Sequence, residues 1–276
     1  MRPVTCPPAR CDAHRPALPS RRYPDAMNQP VGRPFLMVQT RPEDDAAAAE
    51  TEAVRRLGGF ACDQLRVLRL DRADRPVDWA SELADVAGVV LPGSPFTGAD
   101  PEEGKSDVQR AVEAELVRLM DVVVDGDVPF LGCCYGVGTL GRHAGGVVDT
   151  TYREAPGPIE VTLTDDGAAD PLLAGLPRTF TAYVGHKEAV RELPPSAVLL
   201  ATGEACPVQM FRVGEHLYAT QFHPELDQAG LLQRLEIYAD HGYFEEHEAE
   251  AMYASIHAAD APLPPRILSA FRTRYA

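Results

Sequence analysis

Cysteine is sparse in this sequence, with six in 276 residues, and two of the six, Cys133 and Cys134, are adjacent. Such usage does not build a disulfide framework, so the thiols are read as reduced and the protein as cytoplasmic. Positive charge is also short: 26 Lys+Arg face 41 Asp+Glu, a net −15. A polyanion such as DNA or RNA would be repelled, and no nucleic acid is expected as partner. Long apolar runs are missing as well. The greasiest stretches, Ala87 to Leu91 and Val122 to Val124, break at Pro92 and Asp125, far below the roughly 18 residues of a membrane span. No membrane partner and no internal repeat are expected. What remains is a chain with 45% hydrophobic and 24% charged residues, an ordinary globular composition at a length suited to one or two domains.

Residues 1–34 carry eight prolines, six arginines and two acids, hence a local +4 that leaves −19 on the rest. Proline at this density forbids a stable helix, and no apolar signal-peptide core is present. The segment reads as a disordered N-terminal arm, with Met27 a candidate start just ahead of the first strand signal. Cys6, Cys11 and His14 lack the paired spacing of a zinc site, so no metal is expected. From Phe35 strands and helices alternate: Pro34 to Gln39, Leu65 to Leu70, Ala87 to Leu91 and Val128 to Leu131 read as strands, the last three each preceded by a stretch long enough to be helical. After Val147 short strands dominate, with turns such as Asp165-Asp166-Gly167. The expected fold is α/β, a three-layer sandwich with a mostly parallel central sheet and a strand-rich second half. A helix over Leu226 to Asp240 then gives way to an acidic helical C-terminal extension, 241–276.

One segment stands out chemically. Leu131-Gly132-Cys133-Cys134-Tyr135-Gly136 follows a buried strand and precedes a helix, the form of a nucleophile elbow. Residues two before and two after the nucleophile must be very small, and Gly132 and Gly136 bracket Cys134 in that way, while Cys133 would point back toward the sheet. The following helix N-terminus would favour the thiolate. Two buried structural cysteines in a glycine-rich bend remain the alternative at this point. An overlapping G-x-G-x-x-G, Gly136 to Gly141, lacks the acid about 20 residues on that a dinucleotide site needs, and no cofactor is expected. The second constellation is Gln221-Phe222-His223-Pro224-Glu225. A thiol nucleophile needs a base and a group that orients the base, and His223 and Glu225 can supply both.

Together these segments resemble the class I, triad-type glutamine amidotransferases, the family of the glutaminase domain of GMP synthase. The elbow "LGCCYGVG" looks like their G-x-C-x-G-x-Q and "TQFHPE" like their Q-F-H-P-E. "GRHAGGVV", "LPGSPFTG", "DPLLAGLP" and "GHKEAVRELP" add to the likeness, which runs over about 35–240 and marks that span as the amidotransferase domain. The resemblance implies a triad in which Cys134 attacks the glutamine side-chain amide, His223 moves the proton to ammonia and Glu225 orients His223. It also implies an oxyanion site formed by backbone at Tyr135, Gly93 and Ser94, and a substrate pocket near Gly138, Gly185 and His186. Gly138 stands where the family has Gln, and "GHKE" departs from Ser-His-Gly-Asp. The expected function is glutamine hydrolysis supplying ammonia to a synthetase partner, since the 36 residues after Asp240 are too few to be one. Hydrolysis of another γ-glutamyl compound, in a pocket enlarged at Gly138, and a non-catalytic regulatory module are the alternatives.

Overall fold

A computed structural model describes residues 32–238 and 249–276. The expected disordered arm therefore lies outside the described residues except for its last three, as does most of the acidic run from Glu245. In the parallel part, β1 (Phe35–Gln39) is followed by α1 (Asp44–Gly58), β2 (Leu65–Arg69), α2 (Trp79–Leu83), β3 (Gly88–Leu91), α3 (Asp107–Asp125), β4 (Phe130–Cys133) and α4 (Tyr135–His143). Then come β5 (Val147–Asp149), β6 (Glu154–Leu163), α5 (Asp165–Ala169), β7 (Thr179–His186), β8 (Ala189–Glu192), β9 (Val198–Thr202), β10 (Met210–Val213) and β11 (Leu217–Thr220). Among the described residues three helices follow: α6 (Gln228–Ile237), α7 (Ala249–Ala258) and α8 (Pro265–Tyr275).

Among the described residues nine strands form one sheet in the order β2-β1-β3-β4-β11-β10-β9-β6-β7. Neighbours from β2 to β11 run parallel, and those from β11 to β7 run antiparallel. Helices cover both faces, as expected for the α/β class. Strand β1 shows why: all five of its residues are buried, and alternate side chains serve opposite cores. Phe35 and Met37 pack with Val54 of α1 and with Ile267, Leu268 and Phe271 of α8. Leu36 and Val38 pack with Val112, Leu116 and Leu119 of α3 and Leu140 of α4. Local signals set the helix ends. Asp44 and Asp45 complement the dipole at the start of α1, and Gly59, at φ 67°, ends it with its N–H on the Arg55 carbonyl. The Ser106 hydroxyl caps α3 by accepting from Gln109 N–H.

The structure departs from the sequence reading at one turn and adds to it at two other places. Asp165-Asp166-Gly167 is no open turn but the first turn of α5, because Thr164 caps it by accepting from Gly167 N–H. Strands β5 and β8 pair antiparallel in a separate two-stranded sheet that the sequence pattern did not suggest. The C-terminal extension is helical, but α8 belongs to the main core: Ile267, Leu268 and Phe271 are fully buried, Arg272 Nε donates to Gly58 O at 2.9 Å, and the Phe271 and Phe35 rings lie 5.7 Å apart.

The sheet also sets the place of the site. Strands β3, β4 and β11 are parallel neighbours, with Leu91 beside Gly132 and Cys133 beside Thr220. Their carboxyl ends therefore deliver the Gly93-Ser94 turn, Cys134 and the Gln221–Glu225 segment to one edge, the usual place for ligands in an open α/β sheet.

Candidate active site

Cys134 occupies the bend between β4 and α4 at φ 53°, ψ −90°. A positive φ is rare for a residue with a side chain and stores strain that the surrounding packing must hold. That packing depends on the two bracketing glycines. A Cβ on Gly132 would stand 2.9 Å from the Gly136 backbone, and one on Gly136 would stand 3.1 Å from Leu91 O. Cys134 N–H donates to Thr220 O at 2.7 Å, which ties the bend to β11. Cys133 points into the core and is fully buried, whereas Cys134 is partly exposed, with its thiol 3.9 Å from Gly185 O.

His223 follows β11 and is held by its N–H on Tyr183 O. Its Nδ1 lies 2.6 Å from Glu225 Oε1, which leaves Nε2 for a second partner. Gly93 sits between base and thiol: a Cβ there would be 3.0 Å from His223 Cε1 and 3.6 Å from Cys134 Cβ. The absent side chain is what lets the imidazole and the thiol share one cavity, which Arg41, Ser94, Gly185, Arg234 and Tyr238 also line.

The electrostatics differ from the expectation of a dipole-stabilised thiolate. Burial pushes the Cys134 thiol up to about 12, and the Glu225 charge adds to it, while Arg234 and Arg41 act in the opposite direction. Burial likewise holds His223 below its ordinary 6.5 against the pull of Glu225. Glu225 is buried too, which opposes ionisation, but the His223 charge and hydrogen bond, with Arg234, outweigh that and hold it at about 2. The resting pair is thus a neutral thiol beside a neutral imidazole, oriented by a carboxylate. Glu225 is anchored through a buried chain of charges: Arg234 lies 3.6 Å from Glu225 Oε1 and 3.3 Å from Glu50 Oε1, and Arg41 Nε donates to the same Glu50 oxygen at 2.7 Å.

The other expected residues fall around this centre. Tyr135 is the first residue of α4, where a backbone N–H has no intrahelical acceptor. Ser94 is buried and its hydroxyl accepts from Phe96 N–H. Gly185 and His186 line a second cleft beside Cys134 together with Ser94, Tyr135 and Glu188. Both His186 nitrogens are engaged, Nε2 with Glu154 Oε2 at 2.9 Å and Nδ1 with Glu188 O at 3.0 Å. Gly138 corrects an expectation, because the pocket is not enlarged there. A Cβ at 138 would stand 2.5 Å from Glu188 Oε1 and 3.0 Å from Arg142 Nη1. Sequence reasoning missed Glu188, Arg142, Arg41, Arg234 and Glu50. Arg142 lies one helical turn past Gly138, the only local signal among them.

The profile of Glutamine amidotransferase class-I matches residues 50–235. A glutamine-hydrolysing GMP synthase from Porphyromonas gingivalis is 33% identical over 146 residues, 52% of this chain and 26% of that protein. A subunit of the glutamine-hydrolysing GMP synthase from Thermococcus kodakarensis is 36% identical over 101 residues, 36% of this chain and 52% of that one. The chain thus spans no more than about half the length of these two relatives. In fold, a glutamine amidotransferase from Thermotoga maritima superposes with a TM-score of 0.66 at 20% identity, covering 88% of this chain and 97% of that one. A profile match across more than half of the sequence, on a fold that brings both motifs to one sheet edge, leads to one conclusion: the chain belongs to the class-I glutamine amidotransferase family.

Proposed function

We propose that the protein hydrolyses the side-chain amide of glutamine and delivers the ammonia to a separate synthetase. The observation that carries this reading is the strained Cys134 sharing a cavity with His223, whose Nδ1 is held by Glu225. As Cys134 Sγ bonds to the amide carbon, its proton passes to His223 Nε2. The carbonyl oxygen becomes an oxyanion facing the Tyr135 N–H and the Gly93-Ser94 turn, where losing one donor typically costs about 3 kcal/mol. His223 then gives its proton to the departing nitrogen, the C–N bond breaks, and a thioester remains. Water, deprotonated by His223, attacks the thioester and releases glutamate and the thiol. A thiol pushed up to about 12 suits this concerted transfer, because little thiolate exists before the substrate arrives.

The glutamine-hydrolysing GMP synthases among the relatives, one of them a separate subunit, support an ammonia-accepting partner. The alternative of a bulkier γ-glutamyl substrate loses its premise, since Glu188 and Arg142 fill the space beside Gly138. The test is ammonia release from glutamine and covalent labelling by a glutamine-like electrophile. Cys134→Ala is expected to abolish both, by at least about 10⁴-fold for turnover, while Cys133→Ala keeps the labelling. Label found on Cys133, or faster release from γ-glutamyl amines than from glutamine, would overturn the proposal.

A further inference from the structure

Glu154, His186 and Cys206 stand far apart in the sequence and meet in the interior, with one ligating atom from each within 4.8 Å of the others. Glu154 opens β6 and is the cross-strand partner of His186, the last residue of β7. Cys206 comes from the turn between β9 and β10. Backbone pairing does not hold that turn to the Glu154 end of β6: among the described residues the β6–β9 ladder uses only Thr162 and Leu163 of β6. Side chains make the link there, and they do so with too few protons. His186 Nδ1 lies 3.0 Å from Glu188 O, and a carbonyl only accepts, so Nδ1 is the donor. The neutral ring then has a bare lone pair at Nε2, and Nε2 faces Glu154 Oε2 at 2.9 Å. Two acceptors at this separation need a cation between them. Gln209 is wholly buried and donates Nε2 to the same Glu154 oxygen at 2.7 Å, while its Oε1 has no hydrogen-bond partner among the described residues. A bare amide oxygen in the interior is costly and calls for a group that the side chains around it do not supply.

We infer that Glu154, His186 and Cys206 hold one zinc ion through carboxylate oxygen, Nε2 and Sγ, with the Gln209 amide oxygen closing the set. Thiolate, imidazole and carboxylate together suit zinc, whereas magnesium and calcium take oxygen alone. An imidazole whose Nδ1 is fixed on a backbone carbonyl is the usual form of a metal-binding histidine. Tetrahedral zinc with bonds of about 2.0–2.3 Å sets its ligands roughly 3.3–3.8 Å apart, so a closure of about 1 Å completes the site. The ion displaces two protons: the one between His186 and Glu154, and the thiol proton, which otherwise lies toward Val208 O at 3.5 Å. All four side chains are buried, so the ion is structural. It staples the turn carrying Cys206 to the ends of β6 and β7, next to Gly185, whose carbonyl lies 3.9 Å from the Cys134 thiol. No window of sequence shows this site. The expectation of no metal was drawn from Cys6, Cys11 and His14, which are different residues.

The test uses the full-length protein, stripped with a chelator and titrated with zinc, and with cobalt(II) as a coloured substitute. One zinc per chain is expected, together with a thiolate-to-cobalt charge-transfer band in the near ultraviolet. Free zinc at a hundred times its Kd should raise the melting temperature by about 5 °C. Cys206→Ala removes the band, and Cys206→Ala and Glu154→Gln each weaken zinc binding by about 100-fold or more, beyond the loss typical of an outer-shell partner. The band persists in Cys134→Ala and in the double variant Cys6→Ser, Cys11→Ser. A wild type that takes up no stoichiometric zinc, or shows no charge-transfer band with cobalt, overturns the inference, and the cluster then holds protons only. A band that survives Cys206→Ala, or that disappears with Cys6 and Cys11, places the metal elsewhere and overturns it equally. Glu154→Gln keeps the test decisive if Cys206→Ala fails to fold: unchanged zinc affinity in that variant removes the carboxylate from the site.

Discussion

On the His223 side of Cys134 the charged groups are buried and joined in a chain, Glu225 to Arg234 to Glu50 to Arg41. On the Glu188 side a single carboxylate keeps one oxygen on Arg142 and Ala99 and leaves the other bare. The first flank is closed by a run of ion pairs, although Glu225 Oε2 and Arg234 Nη1 have no hydrogen-bond partner among the described residues, and what results is a fixed orientation for the imidazole. The second is short: one guanidinium and one backbone N–H meet one carboxylate oxygen. A group that must hold one geometry through every turnover is tied through several charges in series, whereas Glu188 is tied through one arginine.

The sharpest break of the closed flank is Glu225→Gln. With His223 no longer held by a carboxylate, kcat is expected to fall by roughly 10³- to 10⁴-fold, while iodoacetamide still reaches Cys134. Next comes Glu50→Ala, which strands Arg41 and Arg234 in the interior. A stability loss of about 3–5 kcal/mol in urea unfolding is expected, and a loss below about 1 kcal/mol would mean that water reaches the two guanidinium groups. On the second flank, Gly138→Gln places a side chain against Glu188 Oε1. It should displace that carboxylate and raise KM for glutamine about 10-fold with kcat little changed; a lowered KM would show that the place beside Glu188 takes a side chain without loss. The smallest effect is in pH. A base must be neutral to accept the thiol proton, and burial lowers His223 below 6.5, so activity should persist as the solution is acidified past 6.5 and fall only as the lowered value is crossed. An acid limb of kcat/KM centred above 6.5 would show that Glu225, not burial, sets the titration.

Much of the closed flank is legible in the sequence because its signals are local. The spacing of Gly132 and Gly136 about Cys134 is a steric requirement of a single bend, and His223, Pro224 and Glu225 are consecutive, so motif and geometry coincide. Glu50 and Arg234 belong to two helices whose proximity no window of sequence reveals. Gly138 reads as an empty place because the residue that fills it, Glu188, comes from the far end of the β7–β8 turn. The place of α8 was hidden for another reason. Ile267, Leu268 and Phe271 have helical spacing in plain view, but a few apolar residues after an acidic stretch carry no sign of which surface they will cover. The missed strands β5 and β8 are three and four residues long, too short for a period-two pattern to register.

The packing of α8 has a consequence for how the chain is made. Phe35, in the first strand, completes its surroundings with Phe271, in the last helix. At translation rates of roughly 5–20 residues per second, β1 waits on the order of 10–50 s between its own emergence and that of its cover. Through that interval the α8-facing side of β1, with Phe35 and Met37, stays open to other chains and to chaperones. The native core closes only after α8 has left the ribosome.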